Sequence, residues 1–437
     1  MTSPQRLGAF ALTQSVLPQS APKSILVLSG LMFLIGPLAA VARQGLTALL
    51  FLVLLTLAFM PEARTAWRDV FKKQLMFFVA PFFLWALVSN AWAPTAQWAA
   101  CAQMLLTVIA GTLVIIGLKT FPVEHAHRVL RAVFVGVLVL LVFLLEESMT
   151  QAAILSWARP EDVQTADATF FSLIMSLAAR GTSVLAVMAT LFGILIYRAT
   201  RSGLIAAFFV LISLFVCARL PMTTSALGLA ASILAFICVS WRPRGFLGLM
   251  LILIAGGICA AWPLGRLIPS QAHVSAAESQ LELGIQHRLG IWRHAAGIAE
   301  QEPVLGHGFN ASRYFAGRQD KLEGLNLPAL PTHPHNAPLQ IWLELGAIGA
   351  LFSVFLVIGV WRSVRPLFNR PVHAAVVASM IAPIAVIACF SYAIWSTWWL
   401  AGLGLMGGVA ALAIIILPPT FSVHLATPEE RTDGLKD

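Results

Sequence analysis

About a dozen apolar runs, each near the length that crosses a bilayer, leave this chain few ways to fold. They fall at 24–42, 45–60, 75–92, 98–117, 129–147, 181–197, 203–218, 223–240, 246–264, 338–360, 374–392 and 399–417, the second and seventh being short. A spanning helix needs about 20 apolar residues. Within lipid every backbone N–H and C=O must find a partner in the protein, which a helix supplies from its own turns. Hydrophobic residues make up 59% of the chain and charged residues 11%, a balance outside the soluble range. The expectation is an all-α polytopic membrane protein of about 12 transmembrane helices, forming a single integral membrane domain over 1–437. Met1 to Lys23 is mostly polar and lacks the small-residue cleavage pattern of a signal peptide, so no cleaved leader is expected.

Charge sets the orientation. With the N-terminus in the cytoplasm, 18 of the 28 Lys and Arg fall inside, and every short inside loop is basic. The positive-inside rule then favours twelve helices with both termini cytoplasmic. The net charge of +9 is spread singly or in pairs between apolar runs. That pattern fits topology and contact with anionic membrane lipids, with no nucleic acid partner. Cys101, Cys217, Cys238, Cys259 and Cys389 all lie inside apolar runs without Cys-x-x-Cys spacing. They read as packed helix residues, not as disulfide or metal ligands.

Two outer segments exceed ordinary turn length: about Glu146 to Arg180, and a large loop over 265–337 before the tenth span. Loops this long usually carry function or structure of their own. In the second, Ser275 to Ala299 has helical composition, with His287, Arg288, Ile291, Trp292 and Ala295 at three- and four-residue steps. One or two helices are expected there, against the outer face of the membrane.

The same loop holds the candidate chemistry. His335 stands just before the tenth span, with Asn336 placed to cap that helix and Pro338 in its first turn. A neutral imidazole there is able to take a proton from a hydroxyl nucleophile; the plainer reading is a loop histidine bonded to a backbone carbonyl, and His333 competes by position. Arg288 and Arg293 lie on the expected loop helix, while Arg180, Arg219 and Arg266 fall at outer ends of spans. Convergent guanidiniums suit a diphosphate; singly, each arginine equally well reaches for lipid headgroups. Gly306 and Gly308 after Pro303 allow a tight turn and close approach to a ligand or helix. Glu344, inside the tenth span, either orients a partner or pairs with an arginine. No outer Asp-x-Asp pair, Walker A loop, Gly-x-Ser-x-Gly elbow or His-Glu-x-x-His run occurs, so neither metal nor cofactor is expected.

The pattern Arg288…Trp292…Pro303-x-x-Gly306-x-Gly308-Phe309…His335-Asn336-x-x-Leu339-Gln340-x-x-x-Glu344-Leu345-Gly346-x-x-Gly349 resembles the O-antigen ligase and O-antigen polymerase superfamily. The resemblance implies transfer of a glycan from undecaprenyl diphosphate to an acceptor hydroxyl at the periplasmic face of the bacterial inner membrane, without nucleotide or metal. It places the essential loop histidine on His335 and the essential loop arginine on Arg288. Members also carry an arginine with an earlier span, often as Ser-Arg; here Ser225 is followed by Ala226, and Arg219 or Arg180 is left for that role. The implied reaction is O-antigen ligation, from undecaprenyl-diphosphate-linked O-antigen to lipid A-core in lipopolysaccharide assembly. The alternatives are an O-antigen polymerase, a protein O-oligosaccharyltransferase using the same donor, and a lipid-linked oligosaccharide transporter without catalysis.

Overall fold

The computed structural model describes residues 22–42, 44–68, 75–150, 153–158, 169–220, 223–269, 283–322 and 327–420. Among them the chain is helical, and the only pairing of extended backbone is an isolated bridge between Lys321 and Pro328. We number the helices α1 (Lys23–Phe33), α2 (Ile35–Val41), α3 (Gly45–Ala58), α4 (Pro61–Arg68), α5 (Leu75–Ser89), α6 (Trp98–Leu118), α7 (Val123–Thr150), α8 (Ala153–Ala158) and α9 (Thr169–Thr200). They continue as α10 (Gly203–Arg219), α11 (Thr223–Trp241), α12 (Pro243–Leu267), α13 (Leu283–Gln301), α14 (Ser312–Ala316), α15 (Ala337–Val364), α16 (Pro371–Phe390) and α17 (Thr397–Ile416).

With α1 and α2 taken together as one span, nine helices among the described residues are long and apolar enough to cross a membrane, against about twelve expected. The difference lies in three runs. α3 turns by 98° into α4, and the pair makes a tenth crossing only if it counts as one broken span. α5 and α10 are apolar but have 15 and 17 residues, short of the usual spanning length. The side chains support immersion in lipid: Leu204, Phe208, Ile252 and Leu253 are each more than 60% exposed on helix exteriors. Cys259 is exposed as well, against the expectation of packing. Inside the bundle, small residues let helices touch: a Cβ added at Gly404 of α17 would stand 2.6 Å from the Cα of Gly111 in α6.

Two large apolar cores divide the bundle. One joins α1–α4 with α6–α10, α17 and part of α11 and α16. The other joins α5, α11, α12, α15 and α16 with part of α6. A third, smaller cluster belongs to the loop before α15, where Ile291, Ala295, Ala296 and Ala299 of α13 pack on Leu339 and Leu343. The expected helix is thus present from Leu283; residues 275–282 of that reading lie outside the described residues. Two loop boundaries also move. α12 runs on to Leu267, so Gly265 and Arg266 are helical, and α9 begins at Thr169, which places Arg180 well inside a helix.

Candidate active site at the α15 break

α15 is interrupted. Gly346 has φ 63° and ψ −162°, so the helix stops and restarts there. A broken helix in the membrane exposes polar backbone that lipid cannot satisfy, and here residues 303–308 satisfy it. The His307 and Gly308 N–H groups donate to the carbonyls of Leu343 and Glu344 at 3.0 and 2.8 Å. Ala347 and Ile348 donate to the carbonyls of Pro303 and Val304, and the Trp85 indole donates to that of Leu345. Gly306 and Gly308 also have positive φ, of 70° and 93°. A Cβ at Gly306 would stand 2.5 Å from the Glu344 backbone, and one at Gly308 2.6 Å from Ala93 and Ser89. The glycines therefore let this loop enter the helix break, and what they approach is protein.

Glu344 locks the loop from within. Fully buried, its carboxylate accepts from the backbone N–H groups of Asn310 (2.9 Å) and Ser312 (3.3 Å), from Gln340 (3.0 Å) and from the Trp395 indole. Among the described residues its donors are these four groups and include no arginine.

At the mouth of α15, His335 adopts φ 51°, a left-handed backbone that costs a residue with a Cβ roughly 1–2 kcal/mol. Asn336 then caps the helix, its side chain accepting from Leu339 N–H at 3.0 Å. His335 Nδ1 lies 2.7 Å and His333 Nε2 3.1 Å from the same carbonyl, that of Ser391 beyond the end of α16. A carbonyl only accepts, so both nitrogens carry protons. The second nitrogen of His333 lies 3.0 Å from the Thr332 hydroxyl, whereas Nε2 of His335 keeps its lone pair. The two rings are 4.2 Å apart. Burial first, then the charges of Arg288 and His287, hold His335 below the usual imidazole range, while the Ser391 carbonyl opposes them. His333 is pushed down to about 4 by burial, His335 and Arg313, again against Ser391.

The arginines separate into groups. Arg288 is half-buried on α13 with its charge acting on His335. Arg180 lies over the Trp398 ring at 5.2 Å and acts on Tyr392, next to Ser391. The Tyr392 hydroxyl donates to the Ala179 carbonyl, tying α9 to the 391–396 turn. Arg293 instead donates to the Ile268 carbonyl, and Arg266 pairs with Glu300 at 2.8 Å, so both fasten α13 to the end of α12. Arg219 is exposed at the end of α10, without a hydrogen bond or ion pair among the described residues. The candidate phosphate arginines thus have different partners: Arg288 acts on His335, Arg180 on Tyr392 beside Ser391, Arg266 and Arg293 are bonded at the α12–α13 junction, and Arg219 stands exposed. Sequence reasoning missed Arg313, which acts on His333, and the Ser391 carbonyl. A main-chain acceptor leaves no signature in residue type.

Beside Asn336 opens an apolar groove of about 800 Å³ between α11, α12, α15 and α16. Its walls run from Cys238 and Phe246, at the far ends of α11 and α12, to Ala337, Pro338, Phe390 and Ile394 next to the histidines. Among the described residues no group of three or more His, Cys, Asp or Glu is arranged to hold a metal.

Fold and site together define a multi-pass helical membrane protein with a half-buried histidine pair and arginines at one end of the bundle. Residues 186–354 match the family model described as O-Antigen ligase, a stretch that contains the whole Arg288–Gly349 pattern. The chain is also similar to proteins named "Putative polysaccharide ligase": 37% identical over 118 residues to one from Rickettsia conorii, and 35% over 118 residues to one from Rickettsia felis. One from Rickettsia prowazekii is 38% identical over 119 residues. Each match covers 26% of this chain and 28 or 29% of the relative, so the chain spans less than a third of the length of the curated relatives it matches.

Proposed function

We propose that this protein is an O-antigen ligase of the bacterial inner membrane, transferring a glycan from undecaprenyl diphosphate to lipid A-core at the periplasmic face. One observation carries the reading: a neutral histidine with its Nδ1 proton fixed on Ser391 and its Nε2 open, beside Arg288, at the head of an apolar groove. The family match and the relatives' names agree with a polysaccharide ligase. The polyprenyl tail of the donor lies in the groove, entering sideways from the bilayer. Its diphosphate meets Arg288 and Arg180. The acceptor hydroxyl oxygen attacks the anomeric carbon, the bond from that carbon to the diphosphate oxygen breaks, and the hydroxyl proton passes to His335 Nε2. Configuration inverts. Fixed guanidiniums stabilise the charge appearing on the diphosphate, which is typically the largest contribution in such reactions, and two lipid substrates held in one site lose little further entropy on reaction.

The test is transfer by purified protein supplied with undecaprenyl-diphosphate-linked O-antigen and lipid A-core, beside His335→Ala. Wild-type product on lipid A-core, absent from a folded variant, is the expected result, and it persists in excess chelator. Near-normal transfer by His335→Ala overturns the base assignment. Activity lost to chelator and restored by Mg²⁺ overturns a metal-free reaction. Longer undecaprenyl-linked chains without core product identify a polymerase.

A further inference from the structure

A second cavity shares no described lining residue with the apolar groove and includes Arg313, whose charge acts on His333. It holds about 450 Å³, opens widely to the exterior, and is lined by Thr95, Gln97, Arg313, Tyr314, Gly317 and Arg318. We propose that this cavity binds an anionic substituent of the acceptor glycan, a phosphate or a carboxylate, and so selects the acceptor. The proposal rests on the transferase reading above.

Charge is the first argument. Among the described residues, two guanidiniums line the cavity and no carboxylate does. The nearby acid in sequence, Asp320, is directed to His294 at 4.0 Å. Arginine forks bind phosphate and carboxylate oxygens in pairs.

Rigidity is the second. The cavity is built on the same carboxylate that locks the helix break, because Glu344 holds the N–H groups of Asn310 and Ser312 and thereby fixes the start of α14. Asn310, at φ 59°, donates its side-chain amide to Gln97 Oε1, bridging the two walls. That contact leaves the Gln97 amide N–H groups for a ligand. Arg318 is held over Tyr314 and Phe315 at 5.2 and 4.8 Å, so its guanidinium is positioned before any ligand arrives. Little ordering is left for binding to accomplish.

Position is the third. Arg313 lies near enough to act on the charge of His333, whose ring is 4.2 Å from that of His335. A glycan anchored by its charged substituent therefore presents a neighbouring hydroxyl toward the histidines. The donor has its own approach, since the apolar groove meets the same turn at Ala337, Pro338, Phe390 and Ile394. Two substrates then reach one base by separate routes.

The probe is a phosphorylated core oligosaccharide freed of its lipid, titrated into full-length protein in detergent, beside the same glycan after enzymatic dephosphorylation. Wild type should bind the phosphorylated form about tenfold or more tightly, the scale of a charge-assisted contact. In R313Q/R318Q that preference should vanish, with thermal melting unchanged. In transfer, the double variant should raise KM for acceptor by a similar factor while kcat and the donor KM hold. R313K/R318K, keeping charge without the fork, should fall between. Equal affinity of wild type for the two glycans overturns the proposal, as does a preference that survives in R313Q/R318Q. Displacement of the glycan by phosphatidylglycerol vesicles would assign the cavity to lipid headgroups and overturn the acceptor assignment. His335→Ala separates this proposal from the transferase reading: it should bind the glycan normally and transfer nothing. Normal transfer by that variant sinks the reading of His335 and leaves the binding result standing.

Discussion

His335 and His333 share one carbonyl but are bonded differently, and their pH responses should differ. His335 is held below the usual imidazole range by burial and by Arg288 and His287, so its Nε2 stays an open base well into mild acid. Transfer should be flat from neutral pH down to about 6.5, the ordinary imidazole value, and fall only on further acidification. An acid limb centred above neutrality would contradict the assignment. His333, pushed down to about 4, bears on stability. Between about 6.5, its value in an unfolded chain, and that lowered value, the unfolded state takes up the proton first. Stability is therefore greatest above about 6.5 and declines as pH falls through that window. Thermal melting in detergent should drop between pH 7.5 and 5, and drop less in His333→Gln; a flat or rising melting curve would refute this. Much at this scale was legible in sequence: a histidine followed by a capping Asn and a first-turn Pro announces a helix mouth with an exposed polar group. What separates His335 from His333 was not legible, because it depends on which ring nitrogen each turns to the shared Ser391 carbonyl and on the Thr332 hydroxyl that meets only His333.

Among the elements, the contact between α15 and the 303–312 loop predicts the largest stability effects. Gly346→Ala puts a Cβ into the carbonyl of Val304 and demands φ 63° of an L side chain. It should cost roughly 2–4 kcal/mol, in line with core strain and clash together, visible as a loss of folded protein in fluorescence-detected gel filtration. Glu344→Gln keeps shape but turns an amide N–H toward donors, leaving at least one buried group unpaired at about 1–3 kcal/mol; a melting temperature equal to wild type would show the network to be dispensable. The sequence carried the parts of this device, in Pro303, Gly306, Gly308, Glu344 and Gly346, but not its form. Glycine spacing tells that something comes close, and only the fold tells that the neighbour is another piece of backbone. The arginines teach the same lesson. Five candidate arginines look alike in sequence, yet Arg266 and Arg293 are spent on Glu300 and Ile268.

For the whole molecule, the groove between α11, α12, α15 and α16 gives a prediction that depends on substrate length. Ala235→Trp narrows the wall midway along it. KM for a donor with a long polyprenyl chain should rise several-fold while a short-chain analogue is handled normally; equal effects on both would place the tail elsewhere. Helix content and the order of the apolar runs followed directly from hydropathy. Their count as crossings did not, since α5 and α10 stop short and α3 bends sharply into α4, features set by packing against neighbours. The interruption at Gly346 also bears on how the protein is made. When α15 first enters the bilayer, its carbonyls at Leu343, Glu344 and Leu345 have no turn of their own to bond with, and each unmet group in hydrocarbon costs several kcal/mol. Their partners come from a loop translated shortly before and from Trp85, translated long before. Insertion of α15 therefore becomes comfortable only once α5 and the loop are already waiting for it. Newly synthesised chains should complete the histidine turn among their last steps, so that a half-assembled protein has neither His333 nor His335 fixed on the Ser391 carbonyl.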